Sequence, residues 1–400
     1  MTGRFLPYGR QLIEADDIAA VTAALQGDYL TTGPMVERFE EALRQATDAP
    51  FAISCANGTA ALHMAMLALD LKPGDVAVVP AVTFLATANG ARFCGADVVF
   101  ADVDPYTGLM TPDSLREALG RSGGRARVVL PVHLNGQPCD MPAIRAVADE
   151  AGLAVVEDAC HALATRHGEP EPALVGACRW SDMACFSFHP VKAIAMGEGG
   201  AVTTRDERLA ERLRLFRSHG MERRPDRWMR RDAGFDPSGD PCPWYYEQQV
   251  LGYNYRLTDI QCALGVTQLA KLPRFMERRR ALVAAYDRLL APLSNLVQPV
   301  GRVPTAETGW HLYAVHVDFA AAGTTRTRLM RALAAEGVGT QVHYIPVPDQ
   351  PFHRASAEGV QFPGAQAYYD RVLSLPLQAG MDEADVAFVV GTLARLLGSQ

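Results

Sequence analysis

Lys192 is the residue best placed in this sequence for covalent chemistry. It follows the apolar run Cys185-Phe186-Ser187 by five residues and precedes the return Gly197-Glu198-Gly199-Gly200. A lysine on a tight loop beside a sheet can condense with an aldehyde if its amine is neutral, a state that desolvation and nearby positive charge both favour. Most lysines are solvated surface groups, but the apolar and glycine-rich flanks of this one argue against that. Asp158 closes the apolar segment Val155-Val156-Glu157-Asp158, three residues before His161. A partly desolvated carboxylate needs a cationic partner. A pyridinium nitrogen would serve, and the protonated ring would then accept electrons from a carbanion. The competing reading of Asp158 is a helix cap. His161 is spaced to pack against such a ring or its phenolic oxygen.

Two further motifs suit a phosphate. Ala52-Ile53-Ser54 runs into Asn57-Gly58-Thr59 and then into a helical pattern from Ala60. A helix N-terminus offers free N–H groups and partial positive charge. The dipole contributes only ~0.3–2 kcal/mol, so other donors, such as Ser187, must help. Taken alone, the motif is a plain N-cap. In Gly252-Tyr253-Asn254-Tyr255-Arg256-Leu257-Thr258-Asp259, Asn254 or Arg256 could reach a phosphate, or the segment could simply cap the following helix.

The elements that must hold these residues follow from hydrophobic patterning. Short apolar runs at Val76–Val79, Val98–Phe100, Val128–Leu130, Ala154–Glu157, Met183–Ser187 and Ala201–Thr203 alternate with helical stretches at Ala60–Leu69, Pro112–Leu119 and Met141–Ala151. This alternation predicts an α/β fold with a mostly parallel sheet and helices on both faces. Ligands of such sheets bind beyond the carboxyl ends of the strands, which is where Asp158 and Ser187 fall. Residues 221–249 break the pattern with Arg, Pro, Gly and aromatics and predict a long loop. Helices are predicted over Leu257–Leu269 and Pro273–Leu290. Beyond residue 300, strands at His311–Phe319 and Gly339–Tyr344 and helices at Thr325–Glu336 and Asp382–Leu397 suggest a smaller α/β domain.

Composition narrows the functional classes. The formal net charge of −7 argues against a nucleic-acid or anionic-membrane binder. The eight cysteines form no CxxC pair and read as reduced thiols of a cytoplasmic protein. The N-terminus lacks the apolar core of a signal peptide, and the uncharged run Val76–Ala91 is too short and polar to span a bilayer. No residue is assigned to a metal. A nicotinamide-dependent oxidoreductase would need a GxGxxG turn, which Asn57-Gly58-Thr59 does not supply.

Taken together and in order, these motifs resemble the sugar aminotransferases of the DegT/DnrJ/EryC1/StrS family over about residues 7–397. The resemblance implies the fold type I, aspartate-aminotransferase-like architecture of pyridoxal-phosphate enzymes, with a large cofactor domain at 1–265 and a smaller C-terminal domain at 266–400. It implies pyridoxal 5′-phosphate as cofactor, with Lys192 the lysine that joins it. Asp158 would face the pyridine nitrogen and His161 the 3′-oxygen. Gly58, Thr59, Ala60 and Ser187 would hold the phosphate, and Phe84 would stack on the ring. Asn254 would reach the neighbouring subunit's cofactor, which implies a homodimer with shared active sites. Dehydratase-type members usually carry histidine in place of the lysine, so Lys192 favours transamination. Lys192 and Asp158 also argue against a non-catalytic regulator on this fold.

A narrower resemblance lies in Pro131–Asp140, Pro243–Gln248 and Gly339–Pro346. These segments look like the subgroup that makes the pseudaminic-acid precursor, aminating C4 of a UDP-linked 4-keto-6-deoxy-N-acetylhexosamine with L-glutamate as donor. Other nucleotide keto sugars, of the perosamine type or aminated at C3, are the alternative. Tyr8, His189, Arg256, His311, His343 and Tyr344 are the candidate substrate contacts, with Trp310 beside them. For Arg223, Arg224, Arg227, Arg230 and Arg231 a solvated loop face competes with contact to a nucleotide diphosphate, which suits arginine geometry.

Overall fold

The computed structural model describes residues 5–398. Its centre is a seven-stranded sheet of β1 (Phe51–Cys55), β2 (Val76–Pro80), β3 (Asp97–Ala101), β4 (Ala126–Val129), β5 (Ala154–Asp158), β6 (Met183–Ser187) and β7 (Gly200–Thr204). The spatial order is β1-β7-β6-β5-β4-β2-β3. The run β6-β5-β4-β2-β3 is parallel, and β7 is antiparallel to both its neighbours. Every residue of β2 and β7 is buried, as expected when helices cover both faces. The mostly parallel sheet predicted from the sequence is therefore present.

Register places the chemistry. Asp158 pairs with Cys185, two residues before the end of β6. Ser187 and Cys55 both pair with Gly200, the first residue of β7. The carboxyl ends of β1, β5 and β6 thus converge on one edge. Gly200 is required there, because a Cβ would lie 2.3 Å from the Asn57 carbonyl oxygen.

The helix Gly58–Ala68 is buried almost all round, which its run of Ala, Leu and Met permits. Its cap is Asn57, whose side chain accepts from the Ala60 amide at 2.9 Å, a contact of about 1 kcal/mol. The helix Pro112–Arg121 opens with a capping box between Thr111 and Ser114. Helices at Ala15–Gln26, Pro34–Thr47 and Leu85–Phe93 have no counterpart among the predicted elements. Leu85–Phe93 is built largely of Ala, Thr, Asn and Gly, which carry almost no apolar periodicity.

Towards the C-terminus a three-stranded antiparallel sheet joins β8 (Val297–Pro299), β9 (Tyr313–Val317) and β10 (Val372–Leu375). It shares a core with the helices Leu272–Leu290, Arg326–Ala335 and Glu383–Leu396. The predicted strand Gly339–Tyr344 does not form. Only Gln341 pairs, with Ser374, because the Gly339 amide is taken by Leu6 and Pro346 follows with no N–H to offer. The segment 221–249 carries a two-residue ribbon, Met221–Glu222 with Glu247–Gln248, and a short helical turn at Arg231–Gly234. All eight cysteines are free. Among the described residues no helix is long and apolar enough to cross a membrane.

Candidate active site

A cavity of about 610 Å³ opens at the converging strand ends. Tyr8, Gly58, Thr59, Phe84, Asp158, His161, Ser187, His189, Lys192, His311, His343 and Tyr344 all line it, twelve of the residues singled out from the sequence.

Asp158 is buried at the end of β5. Its Oδ2 accepts from the Thr87 hydroxyl at 2.6 Å and its Oδ1 from the Cys160 amide at 3.2 Å. Thr87 is held in turn by Thr83, 2.7 Å away. Both donors to the carboxylate are neutral groups. A pyridinium nitrogen is the kind of group that such a carboxylate can hold. Lys192 stands on the loop between β6 and β7, its amide bonded to the His189 carbonyl at 2.8 Å. Burial lowers its amine below the usual lysine range, against a smaller opposing pull from Cys160 and Asp158. That is the direction a lysine nucleophile needs.

One corner of the cavity is built by the N-terminus of the helix Gly58–Ala68. Asn57 takes the Ala60 amide with its side chain and the Ala61 amide with its carbonyl. The amides of Gly58 and Thr59 are left for an anion, with Ser187 beside them. A Cβ on Gly58 would sit 2.8 Å from that of Ser187, so glycine keeps the cradle open. Ala60 departs from the expectation: its amide is spent on the cap and it does not line the cavity.

The opposite wall is aromatic and uncharged. The His161 and His311 rings lie with centroids 4.3 Å apart, tilted by 54°, and His161 Nε2 lies 3.2 Å from the Tyr344 hydroxyl. His343 Nδ1 lies 2.8 Å from the Ser374 hydroxyl, and its ring contacts Tyr8. Burial pushes His161 and His311 well below the usual histidine range, and Lys192 adds to the shift in both. Burial, reinforced by Lys192, lowers His343 to about 3. The Nδ1 atoms of His161 and His311 are buried without a partner. Polar atoms left unsatisfied beside a cavity mark a place where a ligand can bond.

Asn254 and Arg256 do not reach the cavity, and Asn254 bridges to Ser218. The five clustered arginines are absent from the cavity wall too. Arg224 pairs with Glu222, Arg227 with Glu211 and Arg230 with Asp232. Arg223 and Arg231 lie over the rings of Tyr246 and Phe235. Sequence reasoning missed Thr87, the donor to Asp158. The only available signal was the i, i+4 spacing of Thr83 and Thr87 within an uncharged run. It also missed Gln341 and Gln350 on the cavity wall.

A buried strand-end carboxylate, a depressed lysine and a helix-borne anion cradle around one cavity, on a doubly covered parallel sheet, define a transaminase-type active site. The chain belongs to the DegT/DnrJ/EryC1/StrS aminotransferase family, whose model matches residues 11–394. It is accordingly a pyridoxal-phosphate-dependent sugar aminotransferase. Over 389 residues, 96% of this chain and 95% of the relative, it is 38% identical to the spore coat polysaccharide biosynthesis protein SpsC of Bacillus subtilis. Among solved structures it superposes on the PLP-form of Spr1654 from Streptococcus pneumoniae with a TM-score of 0.85 at 25% identity, covering 98% of this chain and 99% of that one. It also superposes on Helicobacter pylori PseC, an aminotransferase involved in the biosynthesis of pseudoaminic acid. That match has a TM-score of 0.87 at 24% identity, over 99% of this chain and all of PseC. At that identity the likeness to PseC concerns the fold.

Proposed function

We propose that this enzyme moves the amino group of L-glutamate to C4 of a UDP-linked 4-keto-6-deoxy-N-acetylhexosamine. The products are UDP-4-amino-4,6-dideoxy-N-acetyl-β-L-altrosamine, the pseudaminic-acid precursor, and 2-oxoglutarate. The observation that carries the reading is the placing of Lys192 and Asp158 on a single cavity, with the Gly339–Pro346 segment supplying Gln341, His343, Tyr344 and Ile345 to its far wall. That segment is one of those that resemble the pseudaminic-acid subgroup.

In this assignment Asp158 would hold the pyridine nitrogen and Gly58, Thr59 and Ser187 the phosphate. Phe84 would pack on the ring and His161 would serve the phenolic oxygen. When bound, pyridoxal 5′-phosphate supplies the electron sink. Lys192 is the catalytic base: it takes the proton from the α-carbon of glutamate and later delivers one to C4 of the sugar. Positioned acid–base help of this kind is worth ~10²–10⁴-fold. Tyr8, His189, His311, His343 and Tyr344 form the wall the sugar meets.

Residues 1–265 are assigned to the cofactor domain and 266–400 to the smaller one. Asn254, which does not line the cavity of its own chain, is assigned to the site of a second copy in a cytoplasmic homodimer, and Arg256 to substrate contact. The exposed Trp244, Tyr246 and Leu251 nearby suit burial against that copy. A second reading, another nucleotide keto sugar, draws support from the higher identity to SpsC.

The test is incubation with UDP- and GDP-linked 4-keto sugars plus glutamate, with NMR of the products. Amination of the UDP-N-acetyl sugar at C4 is expected. Turnover confined to a GDP sugar, or an amine at C3, would overturn the assignment.

A further inference from the structure

Arg279 lies on the helix Leu272–Leu290 and is 2% exposed, among the largest fully buried side chains of the molecule. Among the described residues it has no carboxylate partner. Its Nη1 donates to three carbonyls, of Trp310 at 3.3 Å, His311 at 3.1 Å and Leu377 at 3.1 Å. Its Nε is buried with no acceptor. An ion buried this way costs several kcal/mol unless its surroundings compensate, and buried arginines are ordinarily paired. Three backbone carbonyls do part of that work, and no counter-charge does the rest.

The carbonyls it grips belong to segments that build the cavity. His311 lines the cavity directly, and its amide is fixed to the Asn135 carbonyl at 3.1 Å. Leu377 donates its amide to the Tyr8 carbonyl at 3.1 Å, so the second segment carries Tyr8. Arg279 and Lys192 also flank one narrow crevice beneath the lysine, together with Arg10 and Gln268. The charged or titratable groups acting on His311 are His161, Lys192, Arg279 and His343, with no carboxylate among them.

We propose that Arg279 is a positioning residue of the active site, an unpaired buried cation that fixes the His311 and Leu377 backbone and helps keep His311, packed against His161, a neutral imidazole. The inference rests on the assignment of this cavity as the transaminase site but not on the identity of the sugar. Two imidazoles with centroids 4.3 Å apart already resist double protonation, and a fixed positive charge behind His311 adds to burial in resisting its protonation. Their nitrogens then remain free to exchange hydrogen bonds with Tyr344 and with ligand.

The experiment is NMR titration of the histidine ring signals in the holoenzyme, for wild type, Arg279→Lys and Arg279→Met. In wild type the His311 and His161 signals should stay at neutral-imidazole shifts down to pH 5. Arg279→Lys, which keeps the charge, should behave alike. Arg279→Met should move the His311 titration to higher pH than in either. A packing role alone would make the Lys and Met variants equivalent in this readout, and that result overturns the proposal. If Arg279→Met does not fold, wild type decides by itself: a His311 titrating near 6.5 overturns it. The transaminase assignment fails by a different sign, the lack of cofactor absorbance in wild type, which the titration does not measure.

Discussion

The two walls of the cavity are made in opposite ways. The sheet-side wall, Asp158, Ser187 and the Gly58–Thr59 turn, comes from strand ends locked in register by β7, and each member lies within a short local motif. The far wall draws Tyr8, His311, His343 and Tyr344 from three separate stretches of chain, held by side-chain bonds such as those of Arg279 and Ser374. The first wall carries charge and anion donors, and the second carries neutral rings. A fixed, charged wall suits a cofactor common to many reactions, and an uncharged wall of assembled loops suits a substrate that varies.

That division can be broken or sharpened by experiment. Lys192→Ala should lower transamination by ~10²–10⁴-fold or more, the value of positioned proton transfer, with folding retained by circular dichroism. Wild-type turnover in this variant would remove the sheet-side wall from the chemistry.

The next effect concerns pH and the far wall. His161, His311 and His343 all have folded values below the ordinary value near 6.5. The unfolded chain therefore binds more protons than the native state below that pH. Their contribution is fully present above about 6.5 and is lost as pH falls towards the folded values. Thermal melts should show about 1 kcal/mol lost per histidine between pH 6.5 and 5.5. An unchanged melting temperature over that interval would contradict the neutral wall.

Asp158→Ala should weaken cofactor binding by ~1.5–3 kcal/mol, about 10–100-fold in Kd, since it removes a charged hydrogen-bond acceptor and strands the Thr87 hydroxyl. Titration of apoenzyme with cofactor, read by absorbance, checks this. Smallest is Tyr344→Phe, which deletes the contact to His161. A loss of ~0.5–1.5 kcal/mol in kcat/KM is expected, with cofactor affinity unchanged. A Tyr344→Phe enzyme with weakened cofactor binding would show the two walls to be less separate than drawn.

The same contrast explains what could be read from the sequence. Strands β2 to β7 are short apolar runs, and β5 and β6 end in the chemistry or precede it by a few residues, so Asp158, Ser187 and Lys192 were legible locally. The helix Leu85–Phe93 was not, because its Ala, Thr and Gly residues pack without periodic hydrophobicity, and Thr87 was lost with it. His343 and Tyr344 were noticed on a segment read as a strand, whereas the backbone there makes a single bridge before Pro346. Ala60 was expected to hold the phosphate, but its amide serves the helix cap. Nothing along the chain could reveal that Arg279, one of several arginines in its helix, is the buried one gripping carbonyls 31, 32 and 98 residues away.

The reversed direction of β7 has a mechanical result. Parallel neighbours need a long crossover, whereas β6 can turn straight back into β7. The segment bearing Lys192 is therefore a tethered hairpin loop, closed by bonds from the Phe188 amide to Gly199 and from the Met196 amide to Phe188. Such a tether leaves its lysine free to swing but not to travel. The opposite rim has no such hairpin: Tyr8, Gln341 and Ile345 reach the cavity from chain outside the central sheet.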